Sequence, residues 1–122
     1  MRRIWIWTIF FVLLASGMIV WRIARTGPVR IIRMSMKGYA FNDGNPTITL
    51  RSGERVRFVV TNDEVTPILH NFRIPGMGVP CAGVLHPGER RDVLVTASRP
   101  GEFTYGCCTH PGMSGKLVVL PR

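Results

Sequence analysis

The chain has 122 residues, which is enough for one domain with an appendage and too few for two full hydrophobic cores. It carries 16 basic and 7 acidic residues, and its formal net charge is +9 at neutral pH. This charge favours a solvated surface with arginine-rich strand edges, and an acidic partner or an anionic membrane surface is the alternative. The sequence has neither a basic helix nor an arginine–aromatic platform, which argues against nucleic acid binding.

The N-terminal part differs from the rest, because residues 4–21 form an apolar run of 18 positions without a charge. This length reaches the roughly 18 residues that a membrane-spanning helix needs. Interfacial aromatics are favoured near the ends of such a helix, and here they are Trp5, Trp7 and Trp21. We therefore predict that residues 1–28 are a membrane anchor, with an N-terminal transmembrane helix and a short tether. A cleaved secretory signal peptide is the alternative, since two arginines before an apolar run also resemble its start.

Residues 29–122 are predicted to form one all-β domain. Turn signals recur at short intervals, and no amphipathic helix of useful length appears between them. Seven or eight short strands in one domain are typical of a sandwich of two sheets. All seven acids and twelve of the sixteen basic residues lie from Arg30 onward, so the domain carries 12 − 7 = +5. The segments with strand character are 29–36, 47–50, 55–62, 67–74, 90–97, 103–107 and 116–120.

The alternation of side chains in the strand before the C-terminal loop predicts different roles for the adjacent residues Cys107 and Cys108. Side chains two positions apart share one face of a strand. Phe103, Tyr105 and Cys107 therefore share an apolar face, whereas Cys108 belongs to the mostly polar face. We predict that Cys107 points into the core and Cys108 away from it, unless a bulge shifts the register.

The same alternation in segment 67–74 places His70 among Ile68, Phe72 and Ile74. A single buried histidine is more often a hydrogen-bonded core residue than a metal ligand. An inward thiol at Cys107 and a second histidine three residues after it favour the ligand interpretation instead.

The candidate metal ligands are His70, Cys107, His110 and Met113. Two imidazoles, one thiolate and a weak axial thioether are typical of an electron-transfer copper site. Sulfur ligands favour Cu(I) and imidazoles also suit Cu(II), so one copper ion can stay bound in both oxidation states. Zinc accepts cysteine and histidine but rarely a thioether.

Two motifs resemble the cupredoxins, the family of small type 1 blue copper proteins. They are Y-x-C-x-x-H-P-x-M-x-G-K at 105–116 and P-x-x-H-N at 67–71. The spacing of the first motif is most similar to the amicyanins, and plastocyanins and pseudoazurins are also similar. The resemblance implies a Greek-key β-sandwich of eight strands, with copper bound by the four ligands named above. It also implies that Asn71 ties the two ligand-bearing loops together.

The chain departs from the family pattern at Cys81 and Cys108, where the resemblance implies no thiol. Three interpretations stay open for this pair. The two residues can be unrelated, they can form a disulfide in an oxidising compartment, or they can be a thiol pair that accepts Cu(I) beside the main site. His86 is expected to be an exposed turn residue.

The function expected from these features is single-electron transfer between redox partners by a membrane-tethered copper protein. The alternative is a periplasmic protein for copper delivery, sequestration or resistance, which the spare sulfurs would support. A copper enzyme is disfavoured, because catalytic copper needs further histidines and the chain has 3.

The predicted location is the cell membrane, with the copper domain on the periplasmic side, and an exported soluble protein is the alternative. The expected partner is a redox protein, for example a membrane oxidase or reductase with an acidic docking surface.

Overall fold

The computed structural model describes residues 27–122. The predicted transmembrane helix at residues 4–21 lies outside these residues. Within the described part of the chain, no helix is long and apolar enough to cross a bilayer. The described residues form seven strands: β1 (Val29–Lys37), β2 (Ala40–Phe41), β3 (Ile48–Arg51), β4 (Arg55–Asn62), β5 (Arg90–Thr96), β6 (Gly101–Gly106) and β7 (Ser114–Leu120).

The strands form two sheets, as the spacing of turn signals predicts. One sheet has the order β2-β1-β4-β5 and the other has the order β3-β7-β6. Strands β1 and β4 are parallel, as are β3 and β7, whereas β4–β5 and β6–β7 are antiparallel. The all-β sandwich is therefore confirmed. The described residues contain seven strands instead of the eight that the resemblance implies.

The two sheets share one hydrophobic core, and the alternation of the sequence builds it. In β4, Val56, Phe58 and Val60 are fully buried. From the opposite sheet, Leu117 and Val119 of β7 belong to the same cluster. Burying such side chains contributes about 1.5–3 kcal/mol each, so this shared cluster holds the two sheets together.

Segment 67–74 is not the continuous strand that its alternation suggests. It makes three isolated bridges: His70 with Leu85, Arg73 with Gly106, and Ile74 with Val79. Because two partners lie in the loop that follows Ile74 and the third lies at the end of β6, no regular ladder forms. In addition, His70 and its neighbour Asn71 are both buried, which a two-residue alternation does not allow.

A contact between β6 and β7 explains the glycine of the 105–116 motif. The phenol ring of Tyr105 is fully buried over Gly115, and its hydroxyl donates a hydrogen bond to the carbonyl of Pro46 at 2.6 Å. Burial raises the pKa of Tyr105 to about 12. A methyl group at position 115 would overlap the ring atoms of Tyr105, so only glycine fits beneath this ring.

We predict that Gly115→Ala lowers the free energy of unfolding by about 3 kcal/mol, the upper part of the range for overpacked cores. Chemical denaturation of the apoprotein measures this change. Gly44→Ala is the matched control, because a Cβ there meets nothing within 4 Å and the φ angle of Gly44 is not positive. Equal stability of the two variants would contradict the packing argument.

Candidate metal centre

The loop between β6 and β7 brings three of the four candidate ligands together. Cys107 directly follows β6 and Met113 directly precedes β7. The N–H of Cys107 donates to the carbonyl of Met113 at 3.0 Å, and the N–H of Met113 donates to the carbonyl of His110 at 2.9 Å. These two bonds close the loop at its base, so the positions of the three side chains are fixed by the ends of the strands.

The fourth candidate ligand comes from segment 67–74 on the other side of the site. The main chain of His70 pairs with that of Leu85 through bonds of 3.2 and 2.7 Å. The imidazole is fully buried, and its Nδ1 atom points toward the loop. The prediction that His70 faces inward is confirmed, although its segment is not a strand.

The donor atoms of three predicted ligands converge on one point. The Nδ1 atoms of His70 and His110 are 3.2 Å apart, and the Cys107 sulfur lies 4.0 Å and 3.6 Å from them. The ligand atoms of all three residues lie within 4.8 Å of one another. Met113, at the end of the same loop, is buried at 1% exposure, and coordination by its sulfur stays a prediction.

The Cys107 thiol is poised to ionise near neutral pH. Burial raises its pKa, but the hydrogen bonds with the backbone N–H of Asn71 and with the Thr109 hydroxyl, together with the neighbouring imidazoles, outweigh this effect and lower the pKa to about 6. The Asn71 N–H lies 3.4 Å from the sulfur and the Thr109 hydroxyl lies 3.1 Å from it. Since the thiolate is the form that binds metals, these contacts prepare Cys107 as a ligand.

Asn71 joins the two ligand-bearing segments, as the resemblance implies. Its backbone N–H donates to the Cys107 sulfur, and its side-chain oxygen accepts the N–H of Cys108 at 2.6 Å. Asn71 is therefore hydrogen-bonded to both Cys107 and Cys108. This arrangement holds the imidazole and the thiolate at a constant separation.

Of the three interpretations of Cys81 and Cys108, the structure shows the disulfide. The two Cα atoms are 6.2 Å apart, within the usual range for a disulfide. The side chain of Cys107 is buried and free, and that of Cys108 turns away into the bridge. The prediction that Cys107 points into the core and Cys108 points away from it is thus confirmed. The bridge also links the ligand loop covalently to the loop that follows Ile74.

Sequence reasoning missed two residues that contact the histidines. The Glu64 carboxylate lies 2.9 Å from Nε2 of His70, on the side of the ring that faces away from the thiol. This hydrogen bond is the main cause that lowers the pKa of Glu64. The Tyr39 ring packs edge-on against His110 at 4.9 Å between centroids. Both residues lie in polar turns, and nothing in the local pattern distinguishes them from ordinary surface residues.

The donor set fits a copper ion. Two imidazole nitrogens and one thiolate face a common point, and the other nitrogen of His70 is already occupied by a carboxylate. The same loop supplies the buried side chain of Met113. Soft sulfur and intermediate nitrogen donors together are the ligands that copper prefers in both oxidation states.

Comparison with known proteins supports the fold and the metal. The family model for the cupredoxin-like domain matches residues 7–119. A copper resistance protein A homolog from Pseudomonas syringae pv. tomato is 32% identical over 94 residues, which cover 67% of this chain and 15% of that protein. The chain therefore spans only a small part of this relative.

Solved structures with the same fold include two copper nitrite reductases and an auracyanin. The nitrite reductase from Nitrosomonas europaea superposes with a TM-score of 0.66 at 20% identity, over 78% of this chain and 42% of that chain. The nitrite reductase from Thermus scotoductus superposes with a TM-score of 0.64 at 22% identity, over 78% of this chain and 28% of that chain. Auracyanin B superposes with a TM-score of 0.62 at 21% identity, over 78% of this chain and 91% of that chain. The family match, the sandwich and the ligand cluster agree, and the chain belongs to the cupredoxin-like domain family.

Proposed function

We propose that this protein is a type 1 copper electron-transfer protein that passes single electrons between redox partners. The observation that carries the proposal is the convergence of the His70, Cys107 and His110 donor atoms within 4.8 Å, in a domain of the cupredoxin-like family. In this assignment His70, Cys107 and His110 would hold the copper ion, and Met113 would add a weak thioether donor. A bound copper ion supplies the one-electron Cu(I)/Cu(II) couple, and the chain supplies a site with little freedom to change shape.

The residues around the site favour electron transfer because they restrict movement. The ligand loop is closed by two backbone bonds, Asn71 joins it to His70, and the disulfide fixes Cys108. A site that keeps one geometry in both oxidation states has little to rearrange when an electron arrives or leaves. His110 is partly exposed and contacts the exposed Tyr39 ring, which gives electrons a short path to the surface.

An electron carrier is favoured over a copper enzyme by the small number of histidines. The chain has three histidines, two of which belong to this site, and the third, His86, is exposed in a turn. A catalytic copper centre would need several further imidazoles. We therefore assign no catalytic residue.

Copper delivery or resistance is the second candidate function, and the named relative, a copper resistance protein A homolog, favours it. A delivery protein needs an exit path for Cu(I), for which free thiols near the site are suitable ligands. Here Cys81 and Cys108 are joined to each other, which leaves them no thiolate to offer while the bridge is intact. For this reason electron transfer is the preferred proposal.

Membrane tethering through residues 4–21 is part of the proposal, with the copper domain on the periplasmic side. It is supported by the apolar run in the sequence, and the direction of β1 would then decide how the domain is oriented. Strand β1 begins at Val29 beside Arg55, whereas its other end lies beside Asn62, near the ligands. At about 3.3 Å per residue, some 20 Å separates the start of β1 from the metal site. The ligand end would then face away from the membrane surface and toward a redox partner with an acidic docking surface.

Membrane tethering is tested by the mature N-terminus and by fractionation. An uncleaved anchor keeps the protein in the membrane fraction after a high-salt wash, with a mass that includes residues 1–28. A mature start near residues 18–28 and release into the soluble periplasmic fraction would instead identify an exported soluble protein.

The assignment of Met113 as a weak copper ligand predicts a change in reduction potential. Met113→Leu removes a weak donor that stabilises Cu(II), so copper should stay bound while the reduction potential rises. Protein-film voltammetry measures the shift. Met34→Leu is the matched control, because Met34 is equally buried in β1. If both variants keep the wild-type potential, Met113 is not a ligand.

The proposal as a whole is tested by the visible and EPR spectra of the copper-loaded protein during a redox titration. We expect one copper per chain, an intense thiolate-to-copper band, and reversible loss and recovery of that band. A spectrum without thiolate charge transfer would contradict a type 1 site.

A further inference from the structure

Glu64 is an unusually buried carboxylate next to a proposed copper ligand. Its side chain is only 6% exposed, whereas glutamates are almost never buried without a partner. A single carboxylate oxygen, Oε1, accepts two hydrogen bonds. One comes from Nε2 of His70 at 2.9 Å and the other from the backbone N–H of Gly38 at 2.8 Å. These partners offset the cost of removing the charge from water.

The position of Glu64 is fixed by Asn62, a fully buried residue at the end of β4. The Asn62 side-chain oxygen accepts the N–H of Glu64 at 3.1 Å. Its amide group donates to the carbonyls of Ile68 and Leu85 at 2.9 and 2.8 Å. Since Leu85 also pairs with the main chain of His70, one asparagine holds both the carboxylate and the imidazole in place.

The hydrogen bond from His70 to Glu64 selects one form of the imidazole. An ionised carboxylate only accepts hydrogen bonds, so the proton of neutral His70 must reside on Nε2. The lone pair is then on Nδ1, the atom that faces Cys107 and His110. This tautomer is the one that binds a metal at that point.

The same carboxylate holds the turn between β1 and β2. Gly38 and Tyr39 both have positive φ angles, of 61° and 59°, a conformation that costs energy for a tyrosine. The bond from the Gly38 N–H to Glu64 stabilises this turn. As a result the Tyr39 ring packs against His110 at 4.9 Å and against His70 at 6.3 Å between centroids.

We propose that Glu64 is a positioning residue of the copper site, which orients His70 through Nε2 and holds the Gly38–Tyr39 turn that packs the Tyr39 ring on His110. The inference rests on the proposed function, because it assigns the ligand atom of His70 to Nδ1. The negative charge of Glu64 also favours Cu(II), the more highly charged oxidation state of the copper. Glu64 therefore keeps the reduction potential lower than an uncharged partner would.

Two substitutions at Glu64 separate orientation from charge. Glu64→Gln keeps an acceptor oxygen of similar reach and removes the charge, so we expect a higher reduction potential with an unchanged EPR spectrum. Glu64→Ala removes both bonds, so we expect a higher potential, a broadened EPR spectrum and Cu(II) affinity reduced about 10–100-fold. Asp63→Asn is the control, since it removes the same charge from an exposed neighbour that bonds Ser35.

A readout without copper tests the orientation separately. The full chain in detergent has three histidines, so 15N-histidine NMR of the apoprotein resolves the tautomer of His70. We expect a pure Nε2–H form in the wild type, Asp63→Asn and Glu64→Gln, and a mixture in Glu64→Ala. A pure Nε2–H form in Glu64→Ala would overturn the proposal. If the chain shows the expected tautomers but no thiolate–copper band, the proposed function fails while the positioning role of Glu64 stands.

Discussion

Replacing Cys107 by serine is expected to abolish the thiolate-to-copper visible band completely. The Cys107 sulfur is the free thiol at the site, its pKa is lowered to about 6, and it lies 3.6–4.0 Å from the Nδ1 atoms of both histidines. A serine hydroxyl is neither ionised near neutral pH nor a soft donor, so it cannot replace the thiolate in charge transfer or in binding Cu(I). Absorption spectra of copper-loaded protein measure the band.

The matched control is the double variant Cys81→Ser/Cys108→Ser. It removes two sulfurs from the same region but leaves the proposed ligand, and it creates no unpaired thiol. We expect this variant to keep the band. Loss of the band in the double variant, together with its persistence in Cys107→Ser, would contradict the assignment of the two neighbouring cysteines.

The second large effect concerns the stability of the apoprotein. The Cys81–Cys108 bridge closes a loop with a sequence separation of 27 residues, and a loop of this length corresponds to about 3.5 kcal/mol in the chain-entropy description. The double serine variant should therefore unfold at a lower denaturant concentration, with a free energy of unfolding lower by about 3.5 kcal/mol. Denaturation followed by circular dichroism measures this difference.

Reductant provides the internal control for this prediction. It should destabilise the wild-type apoprotein by a similar amount and leave the double serine variant unchanged, because only the wild type has a bridge to lose. A wild-type protein whose stability is unaffected by complete reduction would contradict the stabilising role of the disulfide.

The sequence predicts most of the site because the ligand loop is short and follows a strand. The alternation of Phe103, Tyr105 and Cys107 is local information, and it suffices to decide which cysteine faces the core. The sequence also predicts that His70 faces inward, but from a strand that does not form. The main chain of His70 bridges to Leu85, and Arg73 and Ile74 bridge to Gly106 and Val79. Such isolated tertiary pairing leaves little trace in a local pattern.

Other features depend on distances that only the folded chain provides. The disulfide could not be chosen over two free thiols, because Cys81 and Cys108 belong to loops whose separation is set by the whole sandwich. In the sequence, nothing distinguishes Glu64 from an ordinary loop carboxylate. Its role arises because Asn62 turns the chain so that the carboxylate meets an imidazole six positions later. Burial of a charge by tertiary contacts cannot be deduced from composition or periodicity.

Electron transfer is most directly tested by mixing reduced, copper-loaded protein with a one-electron acceptor in the presence of a Cu(I) chelator of moderate affinity. The loop closed by two backbone bonds and the oxidised Cys81–Cys108 pair leave no evident exit for the metal. We therefore predict that the thiolate band returns rapidly while the chelator stays uncoloured. Transfer of Cu(I) to the chelator before the band returns would contradict the account and identify a copper-delivery protein.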